Sequence, residues 1–154
     1  MWQRKQTIFL GLAALSLILM IFFPIWRGEN EAGAHALFPL HYSVKNSETL
    51  ATHYFPYSIT AILAIAAATL CIIEIGKFEN RMLQLKLGLL NSLLMAGTMA
   101  SAVILAMQTM QGAQVQGGYG YALYMPAVAM VCNTVANRFI RKDEKLVRDA
   151  DRLR

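Results

Sequence analysis

Residues 57–75 read Tyr57-Ser58-Ile59-Thr60-Ala61-Ile62-Leu63-Ala64-Ile65-Ala66-Ala67-Ala68-Thr69-Leu70-Cys71-Ile72-Ile73-Glu74-Ile75. Between Ile62 and Ala68 apolar side chains fall on every face of a helix, leaving no polar stripe to meet water. At about 1.5 Å per residue this block covers roughly 28 Å, close to the ~30 Å hydrocarbon thickness of a bilayer. It reads as a membrane span. Pro56 precedes it, where a missing N–H costs a helix little.

Three more blocks share this character, at residues 7–25, 87–110 and 119–136, and none has a charged residue in its middle. Ile8 to Leu15 is again apolar all round. The blocks hold most of the 56% apolar residues, against 15% charged, in a chain of 154. Soluble domains sit nearer one half and one quarter. The expectation is a single all-α membrane domain over 1–154. It is a transmembrane four-helix antiparallel bundle with a 26–56 outer loop and a cytoplasmic amphipathic helical tail at 137–154.

Charge orients these blocks. Of 14 basic residues, 12 fall on one side: Arg4, Lys5, Lys77, Arg81, Lys86, and seven from Arg138 to Arg154. Arg27 and Lys45 stand alone on the other. The positive-inside rule then places both termini and the 77–86 loop in the cytoplasm. This placement accounts for the net charge of +5 without nucleic acid, which is not expected as a partner. Ala34-His35-Ala36 has the form of a signal-peptidase site, but the first apolar run is long and Arg27-Gly28-Glu29-Asn30-Glu31 separates the two. The block reads as an uncleaved span.

Aromatic residues cluster at the ends of the blocks. Phe22, Phe23, Trp26, Tyr54, Phe55, Tyr57, Tyr119, Tyr121 and Tyr124 mark the outer level, and Trp2, Phe78 and Phe139 the inner. Rings with an apolar body and a polar tip favour the headgroup zone. Pro126, seven residues into the fourth block, is expected to kink that helix and free the carbonyl of Ala122. In the 26–56 loop, residues 37–44 and 49–55 flank a turn-like Lys45-Asn46-Ser47-Glu48 and are expected to pair as one short hairpin.

Polar residues inside the apolar blocks are the candidates for a site. Glu74 is the second-last residue of the second block, Asn91 and Ser92 lie early in the third, and Asn133 and Thr134 late in the fourth. Antiparallel packing puts them at one depth, as helix glue or as the lining of an ion or proton path. Gly88, Ser92, Ala96 and Ala100, with Gly97 and Ser101 alongside, form a small-residue face that lets helix backbones approach. The tail carries Arg138, Arg141, Lys142, Lys145, Arg148 and Arg152 around Phe139, Ile140, Leu146 and Val147. Such a basic amphipathic helix contacts anionic lipid or a partner protein.

Other constellations lack the spacing that chemistry needs. His35, His41 and His53 with Glu29, Glu31 and Glu48 show no metal-ligand periodicity, so no metal is expected. Cys71 and Cys132 both lie inside apolar blocks, where a free thiol behaves as a small hydrophobe. No nucleotide-binding, zinc-protease or serine-hydrolase motif is present. Neither catalytic residues nor a cofactor are expected.

The two ends carry a resemblance. Met1-Trp2-Gln3-Arg4-Lys5-Gln6-Thr7 with Phe9-Leu10, and Ala136 to Arg148 closing with Ala150-Asp151-Arg152-Leu153-Arg154, resemble a family of small four-span proteins of Bacteroidetes catalogued as domain of unknown function 4293. The resemblance covers the whole chain. It implies a Gram-negative inner membrane and supplies no activity, cofactor or catalytic residue. The expected function is a non-enzymatic accessory or assembly subunit of an inner-membrane complex, with membrane lipids and a larger membrane protein, or further copies of itself, as partners. The alternative is a small oligomeric transporter or channel unit using Glu74 and the asparagines.

Overall fold

A computed structural model describes residues 5–30, 33–46, 49–77, 80–115 and 117–152, with side chains up to residue 149. Trp2, Arg4, Glu31, Glu48, Phe78, Leu153 and Arg154, and the side chains of Ala150 and Arg152, lie outside the described residues. In chain order the elements are α1 (Lys5–Met20), β1 (Trp26–Asn30), β2 (Gly33–Leu37), β3 (Tyr42–Lys45), β4 (Leu50–His53), α2 (Ser58–Gly76), α3 (Arg81–Ala113), β5 (Gly117–Tyr119) and α4 (Met125–Arg152). A 3-10 turn, Tyr121–Leu123, leads into α4.

The expected all-α fold is corrected. Among the described residues, four helices combine with an antiparallel five-stranded sheet of order β4-β3-β2-β1-β5. Among the described residues, only α2 and α3 are long and apolar enough to cross a membrane. Two physical reasons account for the difference. The first helix keeps 16 residues, about 24 Å, because the chain turns at Ile21 and enters the sheet at Trp26. The last helix starts only at Met125 and carries charged residues over its second half, so its apolar part is too short. The two apolar helices associate the chain with a membrane by length and composition.

Within the helical layer α1 packs on α2 and α4, and α3 packs on the same two. Asn80 caps α3, its side-chain oxygen accepting from Leu83 N at 3.0 Å, which satisfies one of the free N–H groups of a helix start. At the start of α2 the N–H of Ala61 instead finds the carbonyl of Pro39 at 3.1 Å. That bond ties the sheet to the helix.

The hairpin expected at 37–55 is present as β3–β4, but it is only part of a larger sheet. Strand β1 pairs with both β2 and β5, and β2 continues through β3 to β4. Alternation sorts the side chains: Trp26, Gly28, His35 and Leu37 are buried, whereas Arg27 and Glu29 are exposed. Trp26, expected at the membrane surface, is fully buried in a cluster with Met20, Ile25, Leu37, Ala102, Leu105 and Val115. Gly28 makes room for it, since a β-carbon there would fall 2.6 Å from the Trp26 ring. A second cluster, Ala13, Leu17, Ala67, Cys71, Met95 and Ala129, fills the middle of the helical layer.

Pro126 does not kink a helix interior. It sits in the first turn of α4, because Tyr121–Leu123 is a separate 3-10 turn. A proline there forfeits no internal bond. The other outer aromatics, Phe22, Tyr54, Phe55, Tyr119, Tyr121 and Tyr124, are exposed near the sheet end. Phe139 instead stacks on Phe9 with ring centroids 5.7 Å apart.

Candidate functional site

The end of the helices away from the sheet, where α2 turns into α3, collects buried polar side chains. Glu74, Asn91 and Asn133 are fully buried, and Gln84 nearly so at 1% exposure. Cys71 and Glu74 lie three residues apart on α2, hence on one face. Gln84 and Asn91 are two turns apart on α3, and Asn133 and Asn137 one turn apart on α4. Gln6 of α1 is buried one turn before the Phe9–Phe139 stack. Every helix therefore brings a carboxylate or amide to this end.

Hydrogen bonds weave these groups across helices. Gln84 Nε2 donates to the backbone carbonyl of Glu74 at 2.7 Å. Asn91 Nδ2 donates to Cys71 Sγ at 3.0 Å. Asn133 Nδ2 donates to the Gly88 carbonyl and to Ser92 Oγ, both at 2.9 Å. Ser92 in turn donates to Gly88 O at 2.9 Å. The nitrogens are satisfied; the oxygens are not. Both carboxylate oxygens of Glu74, Gln84 Oε1, and Oδ1 of Asn91, Asn133 and Asn137 are buried with no hydrogen-bond partner among the described residues. Burial of so many acceptors is costly unless a proton, water or cation meets them.

Of the residues expected at this site, the structure brings Glu74, Asn91, Ser92 and Asn133 to one end and adds Gln84 and Asn137. The small-residue face divides. Gly88 and Ser92 meet α4, whereas Ser101 Oγ lies 3.1 Å from Thr60 Oγ1 of α2. Gly97 faces Leu63 of α2, and Ala96 and Ala100 are exposed. Beside the layer a cleft of about 300 Å³ is lined by Leu85, Leu89, Ser92, Thr134, Asn137, Arg138 and Arg141.

Beyond the layer α4 projects. Ile140 is the last fully buried residue described on it, and Arg81 Nη1 donates to the carbonyl of Asp143 at 2.7 Å. Arg138, Arg141, Lys142, Lys145 and Arg148 are all exposed. So are Leu146 at 60% and Val147 at 47%. Glu144 and Arg148 pair at 3.9 Å, a surface contact that contributes little.

At the opposite end the sheet forms an open hollow of about 840 Å³ whose lining includes Arg27, Glu29, His35 and Lys45. His35 is engaged, with Nδ1 2.5 Å from Tyr42 Oη and Nε2 3.1 Å from Asn30 Oδ1. His41 stacks on Phe38. No group of three His, Cys, Asp or Glu able to hold a metal occurs among the described residues.

The model of the family described as Domain of unknown function (DUF4293) matches residues 2–153, and the chain belongs to that family. No curated protein matches it.

Proposed function

We propose that the chain is a non-enzymatic accessory or assembly subunit of a bacterial inner-membrane complex. It crosses the membrane more than once, and both termini and the turn between α2 and α3 face the cytoplasm. The 12-to-2 distribution of basic residues supports that orientation. The docking element is the projecting half of α4, with Arg138, Arg141, Lys142, Lys145, Arg148 and Arg152 meeting anionic lipid and an acidic partner surface. Gly88, Ser92, Ala96, Gly97, Ala100 and Ser101 on α3 support helix packing, with Ala96 and Ala100 left for a neighbour. One observation carries the reading: Leu146 and Val147 are large, apolar and exposed on a charged helix held away from the core. Exposed apolar residues framed by charge suit a protein interface.

The test compares the full chain with a chain lacking Lys142 to Arg154, both recovered from native membranes in mild detergent. The partner co-purifies with the full chain and with Glu74→Gln, and is lost on deletion. Recovery of the full chain alone as a symmetric oligomer overturns the proposal. A second reading, an oligomeric ion or proton path, draws on the unpartnered oxygens around Glu74. It requires a cation- or proton-coupled flux in proteoliposomes that Glu74→Gln abolishes.

A further inference from the structure

We infer that the buried oxygens of Glu74, Gln84, Asn91, Asn133 and Asn137 form a binding site for a monovalent metal cation of the sodium kind. The inference concerns this layer alone and is independent of docking through α4.

The orientation of the amides carries the argument. Gln84 and Asn133 each present their nitrogen to a backbone carbonyl, of Glu74 and Gly88 respectively. A carbonyl only accepts, so neither amide can be reversed without setting oxygen against oxygen. Asn91 turns its nitrogen to Cys71 Sγ. For Gln84 and Asn133 the oxygens are thus the free ends by chemical necessity; Asn91 Oδ1, two carboxylate oxygens and Asn137 Oδ1 join them, all buried and unpartnered among the described residues. In this layer the nitrogens of Gln84, Asn91 and Asn133 are bonded while the acceptors are spare.

Charge selects the ion. An ionised Glu74 contributes one negative charge, and the four amides contribute none. The sole ion pair among the described residues is Glu144 with Arg148, so no side-chain cation neutralises Glu74. Arg138 and Arg141 of the adjoining cleft are exposed and donate to none of these oxygens. One unit of positive charge balances the site in a low-dielectric surrounding. Divalent calcium and magnesium favour several carboxylates, and transition metals favour imidazole or thiolate. A proton alone serves one oxygen of Glu74 and one acceptor, leaving the remaining oxygens unmet. A hard monovalent cation meets several at once.

Full-length protein in phospholipid nanodiscs is unfolded thermally in sodium chloride and in choline chloride at equal ionic strength. The expected result is a saturable rise of the midpoint with sodium and none with choline. Glu74→Gln, which keeps shape but removes the charge, weakens the apparent sodium affinity by about tenfold or more. Asn91→Asp adds a second carboxylate where only a bond to sulfur is lost, and is expected to confer a response to calcium. Equal wild-type midpoints in the two salts overturn the inference, as does a sodium response that survives Glu74→Gln. Should Glu74→Gln fail to fold, absence of a calcium response in Asn91→Asp overturns it instead.

Discussion

Asn137 of α4 occupies the space that a side chain on Gly88 of α3 would need. A β-carbon on Gly88 would fall 2.6 Å from Asn137 Nδ2 and closer still to Oδ1. One turn earlier, Asn133 grips the carbonyl of the same glycine at 2.9 Å. Two asparagines on α4 therefore hold a single residue of α3, and the helices meet there at close range.

Gly88→Ala is accordingly expected to destabilise the fold by about 1–3 kcal/mol, the usual cost of overpacking. The loss exceeds the gain in helix propensity that alanine brings. Adding Asn137→Ala recovers part of it by clearing the space. Thermal unfolding of the unsubstituted chain and the two variants in one detergent checks this. A neutral single substitution shows that α3 and α4 are not in contact at Gly88.

Arg81→Ala removes the donor to Asp143 O. A hydrogen bond involving a charged group is worth about 1.5–3 kcal/mol, and here it restrains only the end of α4. The expected outcome is faster amide exchange and faster proteolysis beyond residue 143, with the global midpoint little changed. Unaltered exchange in that segment means that other contacts hold it.

Gly117→Ala is expected to detach β5 from β1. A β-carbon at Gly117 would lie 2.8 Å from Gly28 Cα and closer to the Arg27 carbonyl oxygen, and backbone cannot yield as a flexible side chain can. Loss of amide protection along residues 26–28, with β2–β4 still protected, is the predicted signature.

Tyr42 ties alkaline pH to the sheet. Its phenol is pushed up from 10.0, first by burial and then by the neighbouring Tyr57, because both disfavour the phenolate. A raised acid pKa means that the folded chain holds its proton longer than the unfolded one. Stability from this group is full below pH 10 and falls as pH rises through the folded value. Tyr42→Phe should flatten that alkaline decline in unfolding measurements; an unchanged profile assigns it to other tyrosines.

Much of the helical layer was legible in the sequence, and so was the β3–β4 hairpin; the other three strands were not. The apolar blocks at 57–75 and 87–110 announce α2 and α3 by length alone. Those three strands escape because they are poor in β-branched residues and β5 pairs non-locally: Gly117-Gly118-Tyr119 carries no strand signal. In Trp26-Arg27-Gly28-Glu29-Asn30 the alternation is real, but glycine stands where an apolar residue would have marked the inner face. At the candidate site, Glu74, Asn91, Ser92 and Asn133 stand out as polar letters in apolar blocks. Gln84 and Asn137 flank those blocks and read as loop and tail, although their spacing from Asn91 and Asn133 fits whole helical turns.

The pairing of β5 with β1 also sets an order of events. Four strands of the sheet leave the ribosome before α2, whereas the fifth follows α3. The edge of β1 therefore waits, open, until the two apolar helices between residues 58 and 113 have been made and have brought Gly117 back beside Gly28. Closure of that edge records that the helical hairpin has been threaded correctly. A chain whose α2 or α3 goes astray would leave an unpaired strand edge in view, the kind of surface that quality control and aggregation both act upon.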